Sequence, residues 1–357
     1  MESPVLIRKR RNSALILMSA GTMAGLVYTF FSADADKPMS WVNAIVVGCL
    51  LGVFVSIIEN RVFGEQLRRK LSFINILIVR IVVYAFLVLI ILLLILSVSR
   101  VFWFELNYAD VWRSEEFQNY LFHGDFKVAF FFCLGLIALV VFSYQITRKL
   151  GQGYLENIIT GRYYQPRLEE RVFCFLKLHG ISAVARRLDH DHYYDLINDI
   201  IYDITEIILS YNGIIYQYVE EDMVIHWVHN KAIANGNCIR CFFAIRDKLY
   251  QRREYYLNEY EYFPEVLGAI HAGTVVRGEI GQGKMEIAFY GDPLNTTSRI
   301  LDKATIDANL LISNEIIDRI EVPNIFKSKP FGSFVLEGKS KELEIFTISE
   351  KALKTMP

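Results

Sequence analysis

Three acidic residues in a row, Glu220, Glu221 and Asp222, stand at the tip of an apolar hairpin, "GIIYQYVEEDMVIHW" (213–227). Carboxylates gathered on a tight turn bring together the oxygen ligands that hard divalent cations require. The same turn can equally be an ordinary solvated one. Other ligand chemistry is sparse. The five cysteines are Cys49, Cys133, Cys174, Cys238 and Cys241. Cys238 and Cys241 form a C-x-x-C inside a helical pattern with no second ligand pair nearby, so both are assigned to helix packing rather than zinc. His179, His226 and His271 occur singly near strand ends, where a hydrogen-bonded packing role is the ordinary one. His179 follows Lys177 by two residues and should share its strand face.

The elements that position these residues begin well before them. The chain has 357 residues and a formal charge of −1, so bulk charge favours neither nucleic acid nor another polyanion. It is 53% hydrophobic, and the apolar excess lies in residues 1–147. Four stretches there, Ala14 to Phe31, Trp41 to Ile58, Ile81 to Val98 and Val128 to Ile146, approach the roughly 20 residues a helix needs to cross a bilayer. Arg80 precedes the third run, where its side chain is expected to snorkel to the interface, with a buried functional arginine as the alternative. "RKRR" (8–11), "EQLRRK" (65–70) and "TRK" (147–149) fall on one side of this pattern. Lysine and arginine are retained on the cytoplasmic side, so both termini are expected there, in a multi-pass protein of the inner membrane. No small-residue cleavage site follows the first run, which is read as retained. The aromatic-rich loop 99–127 is read as a connector on the membrane surface.

Residues 148–168 read as a connecting helix or linker, and 351–357 as a tail. Between them, 169–350 has one continuous pattern. A strand (171–178) is followed by a helix (190–211) carrying Leu196, Ile200, Ile204 and Ile208, then the quoted hairpin. A second helix (about 232–256), a strand pair through Gly281 and Gly283, a third helix from about Asp292, "NLLIS" and a terminal hairpin complete it. The order β-α-β-β-α-β is the ferredoxin-like split unit with strands added at its end. The expected architecture is therefore a four-span helical region followed by an α+β ferredoxin-like domain.

Within that order, "FYGDPLNTTSRI" (289–300) resembles the GD-x-(V/L)-N-x-(A/T)-x-R signature of class III adenylate/guanylate cyclases. "GRYYQPRLEERVFCFLKL", "IYQYVEEDMVIHW", "AIHAGTVVRGEIG" and "LLIS" match the same family in order and spacing, over roughly 155–350. The similarity is to membrane-anchored bacterial members, and the four-span region lies outside it. The resemblance implies a dimer with nucleotide sites at the subunit interface. There the ribose 3′-hydroxyl of ATP or GTP attacks the α-phosphate and pyrophosphate leaves. It implies two magnesium or manganese ions held by two aspartates. It also implies an asparagine and an arginine from the other subunit that orient the ribose and stabilise charge on the transferring phosphorus.

Carried over residue by residue, Asn295 and Arg299 occupy the asparagine and arginine positions, four apart on one helix and hence on one side of it. Lys339 is a candidate triphosphate contact or a solvated turn lysine. Gln217 and Ala288 fall where the family reads the base, and do not distinguish ATP from GTP. The metal positions depart from the pattern. Lys177 stands where the first aspartate is expected, and Glu221, 44 residues later as the family spacing requires, stands where the second is. Glu220 replaces a glycine. The expectation is a cyclase-family signalling protein with weak or no activity alone, which a metal-competent partner could complete as a heterodimer. An active adenylate cyclase with an unusual metal site and a non-enzymatic nucleotide-binding membrane sensor are the alternatives.

Overall fold

The computed structural model describes residues 4–32, 35–63, 73–150, 157, 160–219, 222–282, 286–320, 322–337, 339 and 341–351. The chain divides into two compact units, Met1–Lys149 and Leu150–Pro357.

The first unit is helical: α1 (Pro4–Phe31), α2 (Pro38–Arg61), α3 (Phe73–Phe104), two short helices α4 (Tyr108–Arg113) and α5 (Glu115–His123), and α6 (Phe126–Leu150). Four apolar segments, Ser13–Phe31, Pro38–Glu59, Ile74–Phe104 and Phe126–Ser143, are long enough to cross a membrane. Lipid tails give apolar helices no hydrophobic reason to associate, so close packing has to hold them. Glycines supply it between α1 and α2: a Cβ at Gly21 would lie 2.6 Å from the Gly48 carbonyl oxygen, and one at Gly25 would lie 2.8 Å from that of Ala44. Tyr84, Val88 and Leu92 of α3 pack with Ile137 and Val141 of α6.

Arg80 departs from the expectation of a snorkelling side chain. It is 1% exposed, and its Nη2 donates to Glu59 Oε2 at 2.9 Å. Glu59 also accepts from the Tyr84 hydroxyl at 2.7 Å, and the guanidinium lies over the Phe63 ring. A charge among apolar helices is costly unless paired, and here the last turn of α2 supplies the partner.

In the second unit an eight-stranded sheet runs in the order β2-β3-β1-β4-β6-β8-β7, with β5 paired to β4. The strands are β1 (Arg167–His179), β2 (Ile214–Val219), β3 (Asp222–Val228), β4 (Glu265–Ile280), β5 (Glu286–Tyr290), β6 (Leu310–Ser313), β7 (Phe326–Val335) and β8 (Glu342–Glu350). The first four in the order, β2-β3-β1-β4, are the split βαβ unit. β6 adds parallel to β4, and the terminal hairpin adds beyond it. One sheet face carries α8 (His190–Ser210), α10 (Asn237–Gln251) and α11 (Arg253–Tyr260), with α7 (Ile181–Ala185) and α9 (His229–Ile233) beside them. Leu196, Ile200, Ile204 and Ile208, spaced for one helix side, pack there against Val172, Cys174 and Leu176 of β1. Cys238 and Cys241 are buried in the same core, and burial pushes the Cys238 thiol up to about 12. The opposite face carries α12 (Asp292–Leu301), whose Ile300 and Leu301 pack on Leu267 and Ala269 of β4. The short α13 (Asn314–Ile317) follows β6.

The helix read as continuous over 232–256 is in fact broken. Asn235 (φ 53°) and Gly236 (φ 66°) take left-handed backbone ahead of α10, and Arg252 (φ −103°, ψ 16°) separates α10 from α11. The break at Arg252 lets α11 turn its tyrosines onto α8: Tyr256 donates to Asp203 and Tyr260 to Asp199, at 2.6 and 2.9 Å.

Candidate functional site

Strand alternation decides which side chains meet on the α12 face. In antiparallel pairs, directly opposed residues share a face. Phe173, Phe175 and Lys177 of β1 alternate onto it. Lys177 is opposed by Asp222 of β3 on one side and by Leu267 of β4 on the other. Lys177 therefore stands beside the hairpin tip that the sequence singles out. Glu220 and Glu221 lie outside the described residues. Among the described residues, the position where the resemblance expects the first metal aspartate holds a lysine, and its cross-strand partner is one carboxylate, Asp222. His179 also alternates onto this face, at the exposed end of β1.

α12 begins where β5 ends. Gly291 (φ 150°) makes the turn, and Pro293 packs so closely on Gly273 that a Cβ there would lie 2.6 Å from the proline ring. This contact seats the helix N-terminus on β4. Thr296, Thr297 and Ile300 are turned inward and buried, which leaves Asn295 exposed and Arg299 half-buried, one helical turn apart. Asn295 and Arg299 thus share the sheet face of Lys177 and Asp222, with Asn295 exposed.

Lys339 forms an ion pair with Asp292 at the first turn of α12. Thr296 Oγ1 also donates to Asp292 at 3.2 Å. The Lys339 hydrogen bond, set against the desolvation of partial burial, holds the Asp292 carboxyl below its ordinary range. Lys339 thus tethers the segment after β7 to the helix that carries Asn295 and Arg299. Gln217 is exposed on β2 and is opposed by Val224 of β3. Ala288 is half-buried on β5, opposite Gly278.

The other two histidines have packing roles. His271 Nδ1 is 2.8 Å from Ser313 Oγ and 3.6 Å from Glu315, and burial lowers its pKa. His226 is 2% exposed among the rings of Phe173, Tyr216 and Phe289. Its burial, helped by the charges of Arg171 and Arg277, pushes its pKa well below the usual value.

Sequence reasoning missed the cluster next to it. Tyr163, 1% exposed in the segment before β1, donates to Glu169 Oε1 at 2.9 Å and accepts from Arg277 Nη1 at 2.7 Å. Arg277 also stacks over the Tyr163 ring at 4.1 Å, and Arg171 Nε donates to Glu169 at 3.0 Å. Burial alone would raise the Glu169 carboxyl, but its hydrogen bond to Arg171 and that charge outweigh it, so the pKa is lowered. The only signal was the run "GRYYQPRLEER", which reads equally well as a linker.

A buried split βαβ sheet and a glycine-turned helix presenting Asn and Arg on the face of a lysine-bearing strand define the site. The second unit has the mixed α+β fold of class III adenylyl/guanylyl cyclase domains. It is similar to a bacterial light-regulated adenylyl cyclase, with a TM-score of 0.52 at 17% identity, over 62% of this chain and 65% of that one. The crystal structure of adenylyl cyclase CyaB from P. aeruginosa is matched over its full length and 54% of this chain, at a TM-score of 0.48 and 17% identity. In sequence, the chain is similar to Adenylate cyclase 2 of Rhizobium meliloti (strain 1021), 29% identical over 215 residues. That match covers 60% of this chain and 59% of the relative, so the chain spans less than two thirds of the curated relative's length. No protein-family model matches the chain.

Proposed function

We propose that this chain is a membrane-anchored signalling protein of the class III nucleotide cyclase type that supplies the asparagine–arginine half of a nucleotide site and lacks the metal half. The carrying observation is Lys177. It occupies the strand position where the family resemblance calls for a metal-binding aspartate, and its cross-strand partner is Asp222. An ammonium donates no lone pair to a metal. At about 4 Å it repels each unit of positive charge by about 4 kcal/mol at a protein-like effective dielectric of 20. Magnesium and manganese therefore do not fit this donor set. On this reading the lysine charge offsets that of its cross-strand partner Asp222.

On this reading Asn295 and Arg299, one turn apart on α12, orient the ribose and stabilise the transferring phosphoryl group. The substrate class is ATP or GTP, with Gln217 and Ala288 near the base and Lys339 near the triphosphate. A homodimer repeats the deficient metal position in both sites. A heterodimer with a metal-competent cyclase domain builds one complete site. The distribution of Lys and Arg around the four apolar helices supports insertion in the inner membrane with both termini cytoplasmic.

The test is complementation in one membrane. Full-length chain is co-reconstituted with a class III cyclase chain that keeps both metal aspartates but carries an Arg→Ala change in its own signature helix. The pair is expected to make cyclic nucleotide, and Arg299→Ala in this chain is expected to abolish the gain. A silent pair would overturn the heterodimer reading, and production unaffected by Arg299→Ala would show that this chain contributes no catalytic group.

A further inference from the structure

The first unit contains an open-sided cavity of about 340 Å³ along α1, α2 and α6, with Leu92 and Leu96 of α3 and Tyr120 of α5 also in its wall. It reaches from Leu17 and Val55 at one end to Ser32 and Ser40 at the other. Fifteen residues of α1 separate the two ends, about 22 Å at helical rise. The space is thus long and narrow, shaped for an extended chain. Glycine contacts press α1 onto α2, and beside them the space is lined by the small side chains of Ala20, Ala24 and Ala129.

The lining is polarised along its length. Leu17, Leu51, Val55 and Ile137 make one end aliphatic. Thr29, Ser32, Ser40, Asn43 and Asp125 gather at the other, where Thr29 and Asn43 are 3% and 8% exposed. Ligand sites of this size are mostly apolar, with a few placed polar groups that fix orientation. Charge narrows the occupant further. Asp125 is the one ionisable carboxylate of the polar end, and no lysine or arginine lines the cavity among the described residues. An anionic head would meet a carboxylate with no cation to offset it, at low dielectric. That disfavours phospholipid phosphates and fatty-acid carboxylates alike.

We propose that this cavity binds a single-chain amphiphile with an uncharged hydrogen-bonding head, with the chain along α1 and the head at Asn43 and Ser40. Such a ligand bridges α1 and α2 to α6, and gives the helical unit a signal of its own, independent of whether the second unit turns over nucleotide.

The experiment uses the full chain in phosphatidylcholine nanodiscs and two probes with the same diazirine-bearing chain, hexadecanol and palmitic acid. The alcohol is expected to label α1, α2 and α6 saturably, to be displaced by unlabelled hexadecanol, and to label at least tenfold better than the acid at pH 8. Ala24→Phe, which fills the shaft, is expected to cut labelling about tenfold. Asp125→Asn, which removes the carboxylate at similar volume, is expected to erase the preference for alcohol over acid. Labelling that does not saturate, or that is equal for alcohol and acid in the native chain, would show bulk lipid in a non-selective groove and overturn the proposal. Undiminished labelling in a folded Ala24→Phe variant would do the same.

Discussion

Replacing Tyr163 by Phe removes one oxygen and little else. The ring stays beneath the Arg277 guanidinium, and the Glu279 amide still donates to the carbonyl of residue 163 at 3.1 Å. Lost are the acceptor for Arg277 Nη1 and the donor to Glu169, at 2.7 and 2.9 Å. Hydrogen bonds to charged partners contribute about 1.5–3 kcal/mol each. The Arg277 and Glu169 side chains are 14% and 16% exposed, and Glu169 keeps Arg171, so water and the remaining ion pair recover part of this. The expected net loss is about 2–3 kcal/mol. For a unit of this size that is about 6–10 °C in melting temperature. Burial raises the Tyr163 hydroxyl pKa, so the donor is present throughout pH 7–9 and the loss should not vary across that range. The assay is thermal unfolding of the full chain in nanodiscs, followed by hydrogen exchange at β1 and the β4–β5 hairpin. Tyr164→Phe, at an 80% exposed neighbour, is the control and should change nothing measurable. A Tyr163→Phe transition within 2 °C of the native one would refute the reasoning, because it would mean the buried polar cluster is not paired as described.

Two other perturbations follow from buried ionisable groups. His226 has a lowered native pKa, so from that pKa up to about 6.5 the unfolded chain binds more protons than the native one. Stability should therefore fall as pH drops below about 6.5, by up to about 1.4 kcal/mol per pH unit from this residue. His226→Phe should flatten the difference in denaturation midpoint between pH 7.5 and 5.5, and an unchanged pH slope would contradict the burial argument. At the Glu59–Arg80 pair, Arg80→Leu alone strands a buried carboxylate and should cost about 3–5 kcal/mol. The double variant Glu59→Leu/Arg80→Leu should return to within about 1 kcal/mol of native. Additive losses, measured by thermal denaturation in nanodiscs, would show that the pair is not coupled.

Local pattern carried much of this structure and non-local pairing carried the rest. The four membrane-length helices were legible because uncharged runs of 18 residues have few other uses in a protein of this size. The helix over His190–Ser210 was legible from its isoleucines at helical spacing, and β4, β5 and α12 from their glycine punctuation. Arg80 was not legible: its partner, Glu59, lies 21 residues away across a helix–helix junction, and position along the sequence does not show which helix faces meet. The break at Arg252 hid for a similar reason, since "LYQRREYY" has unbroken helical propensity and the turn is selected by tyrosines reaching Asp199 and Asp203. At the site, the family resemblance implied that Lys177 lies by the hairpin tip, and the strand register places it opposite Asp222. Tyr163 escaped because its cluster joins a connector residue to positions over a hundred residues later.

The most direct measurement is cyclic nucleotide production by the full-length chain alone, in membranes, with ATP or GTP and Mg²⁺ or Mn²⁺. It is set beside a variant in which the family's metal residues are restored: Lys177→Asp, Glu220→Gly and Glu221→Asp. The account predicts a silent native chain and an active triple variant, whose activity is lost again on Arg299→Ala. Turnover by the native chain that survives Lys177→Ala and depends on metal would contradict it, because a metal would then be held without the aspartate that Lys177 replaces.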